Sequence, residues 1–174
     1  MTAFRFAALA FAAAALAAPG VAPAKVSPPR VSAASFTSLA SPLPLPYDEK
    51  ANADAQVAAA RNRALKTHKR LLVDLGGNWC LDCRILAGTM ELPEVQAWVR
   101  KHYEVVTVDV GRFDKNLDVP ARYGFTKRLE GVPALLVVEP RSDKLLNAGK
   151  TTALSDARSM NPQGLADYLA QFAR

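Results

Sequence analysis

The stretch LLVDLGGNWCLDCR, Leu71 to Arg84, contains both cysteines of the chain. Leu71-Leu72-Val73-Asp74-Leu75 is an apolar run of strand length, ended by the Gly76-Gly77 pair. The cysteines then open a helix that continues through about Met90, with Cys80 at its entry and Cys83 one turn on. A sulfur at a helix entry faces free backbone N–H groups and the positive end of the helix dipole. Both favour the thiolate, which is the attacking species. Cys83 lies on the same face and can close a disulfide with Cys80. The spacing therefore suits a nucleophile, Cys80, that attacks a substrate disulfide and a partner, Cys83, that resolves the mixed disulfide.

Two other uses of such a pair fit poorly. As a staple it closes too short a loop to restrain the unfolded chain much. A structural zinc site needs four ligands, yet the only histidines, His68 and His102, sit singly near expected helix ends. Arg84 after Cys83 rules out the C-x-x-C-H pattern of haem attachment. The expectation is a redox pair with no metal and no cofactor.

Working outward, Asp48 is placed to cap a helix through ADAQVAAARNRALKTHK, with Val57, Ala60, Ala64 and Leu65 near one face. After the cysteine helix, Pro93 starts another, with Val95, Trp98 and Val99 as its apolar stripe. YEVVTVDV, Tyr103 to Val110, reads as a strand. The polar loop GRFDKN leads to a short helix around LDVPARYG. LLVVE after Gly131-Val132-Pro133-Ala134 is a second buried strand, PRSDK a turn, and Leu145-Leu146 a short strand. Asn161-Pro162 starts a last helix carrying Leu165, Tyr168, Leu169 and Phe172. This order implies an α/β fold, a central mixed sheet of about four to five strands with helices on both faces.

At 174 residues the chain fits one domain, with monomer the default. MTAFRFAALAFAAAALAA has one charge, Arg5, then an apolar run from Phe6 to Ala18. That run is shorter than the roughly 20 residues of a spanning helix. With Ala22-Pro23-Ala24 after it, the pattern is a secretory signal over residues 1–24, cleaved after Ala24; an uncleaved N-terminal anchor is the alternative. Export to the periplasm or beyond follows. Residues 25–46, rich in Pro, Ser and Ala, read as a flexible leader, or as an arm docked through Phe36, Leu39, Leu43 and Leu45. The domain proper spans 47–174. The net charge of +6 comes from scattered Lys and Arg without interleaved aromatics, a solvated basic face rather than a nucleic-acid site.

LLVDLGGNWCLDC, with GVPALLVVE downstream, resembles the thioredoxin superfamily over about residues 48 to 174. The carrying features are Asp74 in the strand, Trp79 before the first cysteine, and Gly131-Val132-Pro133 before a buried strand. The resemblance implies a thioredoxin fold and thiol-disulfide oxidoreductase activity. It makes Pro133 a cis-proline facing the disulfide, with the Val132 backbone pairing to substrate. It makes Asp74 the buried carboxylate that accepts the Cys83 proton, and Trp79 an apolar platform beside the pair. The Asn-Trp-Cys-x-x-Cys context is similar to periplasmic thiol:disulfide interchange proteins, among them the C-terminal domain of the membrane reductase DsbD. Protein thiols and disulfides are then the partners, with a membrane-bound electron donor as a further one.

Leu81 and Asp82 stand between the cysteines in place of the Gly-Pro of thioredoxin, and GRFDKN and TKRLE are extra loop material. The Asp82 carboxylate, with Asp74, opposes a Cys80 thiolate, while Arg84 is read as long and solvated. A stable thiolate makes an oxidant. The balance favours a reducing or interchange protein, with a disulfide-forming oxidant and a binding module of little turnover as the alternatives.

Overall fold

The computed structural model describes residues 25–174; the expected signal and its cleavage site lie outside the described residues. Among these residues, five α-helices and four strands follow one another as α1 (Ala53–Thr67), β1 (Arg70–Gly76), α2 (Leu81–Glu91), α3 (Pro93–His102), β2 (Tyr103–Asp109), α4 (Asp118–Ala121), β3 (Ala134–Glu139), β4 (Lys144–Leu145) and α5 (Pro162–Ala170). The sheet order is β2-β1-β3-β4, with β1 parallel to β2 and antiparallel to β3. This is the expected mixed sheet.

The apolar run Leu71–Leu75 becomes the central strand, and burial on both faces explains its lack of alternation. One face, with Leu71, Val73 and Leu75, packs on Val57, Ala60 and Ala64 of α1. Across the sheet, Leu72 packs with Ile85, Leu86, Val95, Val99 and Leu165 from α2, α3 and α5. Each such side chain contributes about 1.5–3 kcal/mol by leaving water. Asp74 shares that second face and is fully buried, a polar residue among apolar ones.

Local signals set most helix ends. Pro93 begins α3, and Asn161 caps α5 by accepting the Gly164 N–H at 2.8 Å. The cap of α1 is Asn52, accepting the Ala55 N–H at 2.9 Å, rather than the expected Asp48. Asp48 instead accepts from the Lys50 N–H in the turn before the helix. His102 ends α3, as its position near a helix end suggests, and is buried with its ring 4.6 Å from that of Trp98.

The larger departure is the leader. Of the two readings of residues 25–46, a flexible leader or a docked arm, the structure has the second: they form an arm packed along α2, α3 and α5. Leu39 is buried, and Val31, Phe36 and Leu43 pack on the same core. Leu39 and Leu43 meet α2 at Gly88, where a Cβ would come within 3.3 Å of each. The backbone is tied as well: Gln163 accepts the Val31 N–H at 2.8 Å, and Trp98 Nε1 donates to Ser27 O at 2.9 Å. Leu45 is the exception, 64% exposed. Apart from one 3-10 turn at Phe36–Ser38, apolar contact plus side-chain bonds to the arm's own carbonyls hold it in place of regular structure.

Candidate active site

β1 delivers the chain to α2 through Gly76-Gly77, and Cys80 caps α2 with extended backbone, φ −86° and ψ 114°. Its Sγ accepts the Cys83 N–H at 3.1 Å. A capping sulfur is thus held where a negative charge is favoured. The two cysteines are disulfide-bonded, with Cα atoms 5.3 Å apart. Cys80 is 5% exposed and Cys83 0%, so Cys80 is the sulfur that a partner can reach.

The loop before β3 covers the pair from the other side. The Val132–Pro133 peptide bond is cis, and Val132 O lies 3.4 Å from Cys80 Sγ. An open groove of about 370 Å³ runs past the sulfur between Trp79, Leu81, Phe113, Val132 and Ser155. Trp79 and Leu81 stand 43% and 44% exposed, an apolar surface in a position that water otherwise claims. Trp79 is fixed by its Nε1 bond to Gly111 O at 2.7 Å and by Phe113 edge-on at 6.2 Å. The GRFDKN loop thus supports the platform, and Arg112 lies over the indole at 4.6 Å.

Asp82, read from sequence as a carboxylate opposing the thiolate, is not free. Arg158 holds it with Nη2 to Oδ2 at 2.6 Å and Nε to Oδ1 at 3.0 Å, and the Arg158 backbone N–H adds 2.9 Å to Oδ1. Burial pushes the Asp82 carboxyl up, but the Arg158 bonds outweigh it and hold the group below its usual range. The charge beside Cys80 is therefore largely compensated. Arg84 is also not solvated: its guanidinium donates to Leu43 O at 2.8 Å and to Pro44 O at 3.2 Å on the arm.

Beneath the pair, Asp74 is fully buried and its carboxyl is pushed from 3.8 to about 7 by burial, against a hydrogen bond from Tyr47 that draws it down. Tyr47 Oη donates to Asp74 Oδ1 at 2.9 Å, whereas Oδ2 has no hydrogen-bond partner among the described residues. Cys80, Trp79, Leu81, Asp82 and Val132 thus line one groove, with Cys83 buried behind Cys80, Pro133 next to Val132, and Asp74 bonded to the Tyr47 phenol that adjoins Cys83. Sequence reading missed Tyr47, Phe113, Asn78 and Arg158. A lone tyrosine at the end of a proline-rich leader was the one available sign for Tyr47. Arg158 is 76 positions from Asp82 and carries no local signal.

A family model described as Thioredoxin-like matches residues 52–140. The chain belongs to the thioredoxin-like family. Among solved structures, this thioredoxin-like chain is similar to a disulphide isomerase from Xylella fastidiosa Temecula1, at 41% identity over 74% of this chain and 96% of that one, TM-score 0.67. It also matches the oxidised C-terminal domain of DsbD from Neisseria meningitidis, at 23% identity over 55% and 83% of the two chains, TM-score 0.40. That second likeness is too slight to carry an argument. No curated protein matches the chain.

Proposed function

We propose that this protein is an exported thiol-disulfide oxidoreductase that reduces or exchanges disulfides in partner proteins. The observation that carries the reading is a thiolate-favouring cap at Cys80, bonded to a fully buried Cys83, in an open groove beside the exposed Trp79 and Leu81. Cys80 is the nucleophile. Its thiolate attacks a partner disulfide, forming a Cys80–partner bond and releasing one partner thiolate. Cys83 then gives its proton to Asp74, attacks Cys80, and frees the second partner sulfur. A carboxyl that ionises at about 7 is matched to that transfer near neutral pH. The substrate chain lies in the groove against Trp79 and Val132, pairing with the backbone ahead of Pro133 as an added strand. Leu81 and Asp82 tune the potential.

Reduction or exchange is favoured over oxidation by Asp74, whose charge beneath the pair opposes the thiolate once ionised, and by the likeness to a disulphide isomerase. Two observations favour the oxidant instead: Arg158 compensates Asp82, and the Cys83 N–H supports a Cys80 thiolate. In this reading a signal over 1–24 exports the 47–174 domain, which works as a monomer in the periplasm or outside the cell. Its partners are protein thiols, with a membrane-bound donor as the source of electrons. A Cys83→Ser variant tests the assignment. It should accumulate mixed disulfides through Cys80 with exported proteins, and their absence would support a binding module of little turnover.

A further inference from the structure

Asp74 has a neighbour that the chemistry above leaves unused. Tyr47 comes from the end of the leader arm, and both it and Asp74 are buried. Their 2.9 Å bond engages only Oδ1, leaving Oδ2 buried and open. The same hydroxyl adjoins the resolving sulfur: a Cβ on Gly76 would lie 2.3 Å from Tyr47 Oη and 2.8 Å from Cys83 Sγ. The phenol and the Cys83 sulfur therefore flank one point beside the strand that carries Asp74, and only glycine leaves them room.

Tyr47 is held there by the residues of the cysteine motif. Asn78 accepts the Tyr47 N–H at 3.1 Å and returns a bond from Nδ2 to Tyr47 O at 2.8 Å. Thr107, the β2 neighbour of Asp74, donates to Pro46 O at 2.9 Å. Arg84 takes the carbonyls of Leu43 and Pro44. The two residues that bracket Trp79 to Cys83 thus grip the arm on which Tyr47 sits.

We propose that Tyr47, clamped by Asn78, is a positioning residue of the exchange reaction: it fixes the rotation of the Asp74 carboxyl so that Oδ2 receives the Cys83 proton. This rests on the assignment of Asp74 as proton acceptor. In the step concerned, the Cys83 S–H proton passes to Asp74 Oδ2 and the Cys83 sulfur attacks Cys80. The Cys80–Cys83 bond forms as the Cys80–partner bond breaks, and the partner leaves as a thiolate that takes a proton from Asp74 or solvent. No other oxidant or reductant enters. Tyr47 keeps its own proton, because burial and then the nearby Asp74 charge push its ionisation well above the ordinary tyrosine value.

The groups facing Asp74 are few. Tyr47 comes from the arm and bonds the carboxyl, the Cys83 sulfur of α2 adjoins that phenol beside Gly76, and the sheet neighbours Thr107 and Leu135 carry no charge. Asp109 acts on Tyr47, further disfavouring its ionisation. Losing the phenol bond removes the one interaction that draws the carboxyl ionisation down.

The test uses the reduced full chain and an aromatic disulfide that releases a coloured thiolate, followed by stopped-flow from about pH 5 to about pH 9. The first equivalent reports attack by Cys80, and the second reports resolution by Cys83. Tyr47→Phe should move the pH midpoint of the second phase up by about one unit, slowing it about tenfold below the midpoint, with the first phase unchanged. Asn78→Ala, which leaves the phenol but frees the clamp, should shift it the same way by less. Asp74→Asn should abolish the midpoint. If Asp74→Asn abolishes it and Tyr47→Phe leaves it in place, Tyr47 only fills space and the inference fails while Asp74 stands. An unmoved midpoint in Asn78→Ala refutes the clamp. A midpoint that survives Asp74→Asn overturns the proton acceptor, and the role of Tyr47 with it.

Discussion

Replacing Asp74 by asparagine should make the protein more stable at neutral and alkaline pH, with a gain that disappears in acid. The carboxyl ionises at about 7 in the folded chain against 3.8 in its ordinary state, chiefly because it is buried. Below about pH 4 both folded and unfolded chains hold the proton, and the group has no effect on the balance. Between that point and about 7 the unfolded chain releases the proton while the folded chain keeps it. The folded state then binds more protons, so stability falls as pH rises, and above about 7 the loss is complete. The difference in ionisation corresponds to about 4 kcal/mol, a large part of a typical stability of about 5–15 kcal/mol. Asparagine escapes this cost but strands an N–H group where Oδ2 has no partner, which offsets about 1–3 kcal/mol at every pH. The pH dependence of the difference is therefore the signature. Urea unfolding of the oxidised proteins, followed by tryptophan fluorescence, should show the variant gaining about 4 kcal/mol on the parent between about pH 3 and about pH 8. Curves that stay parallel across that range would refute the buried, neutral-pH carboxyl.

Other consequences can be checked separately. Arg158→Ala leaves the Asp82 carboxylate beside Cys80 without its partner, so the pair should become more reducing by about 30 mV against glutathione, and Asp82→Asn should shift it the other way. The same sign for both would sink the charge argument. Gly76→Ala drives a methyl into Tyr47 and Cys83 and should cost about 1–3 kcal/mol in urea unfolding, or more where neither can move. Leu39→Ala should cost about 2–5 kcal/mol if the arm is part of the core; a change under about 0.5 kcal/mol would mean that it is not.

Much of the fold was legible because it is written in local terms. Leu71–Leu75 and Leu135–Glu139 announce buried strands by continuous apolar runs, and Pro93 and Asn161-Pro162 mark helix starts. Cys80 and Cys83 were legible for the same reason, since their relation is one helical turn. What escaped depends on distant partners. The leader has no period to read, and its order comes from Arg84, Asn78 and Thr107 gripping its carbonyls. The charge of Asp82 was visible, but its compensation by Arg158 was not, so the electrostatic argument for direction came out too strong. Asp48 and Asn52 are both competent caps, and only the turn between them decides in favour of Asn52.

The equilibrium of the Cys80–Cys83 pair with glutathione tests the central claim most directly. The account predicts a reversible two-electron exchange at about −180 mV or below, the range of isomerases and reductases of this fold. A value near about −120 mV, that of the strong oxidants, or a pair that does not exchange with glutathione at all, would contradict it.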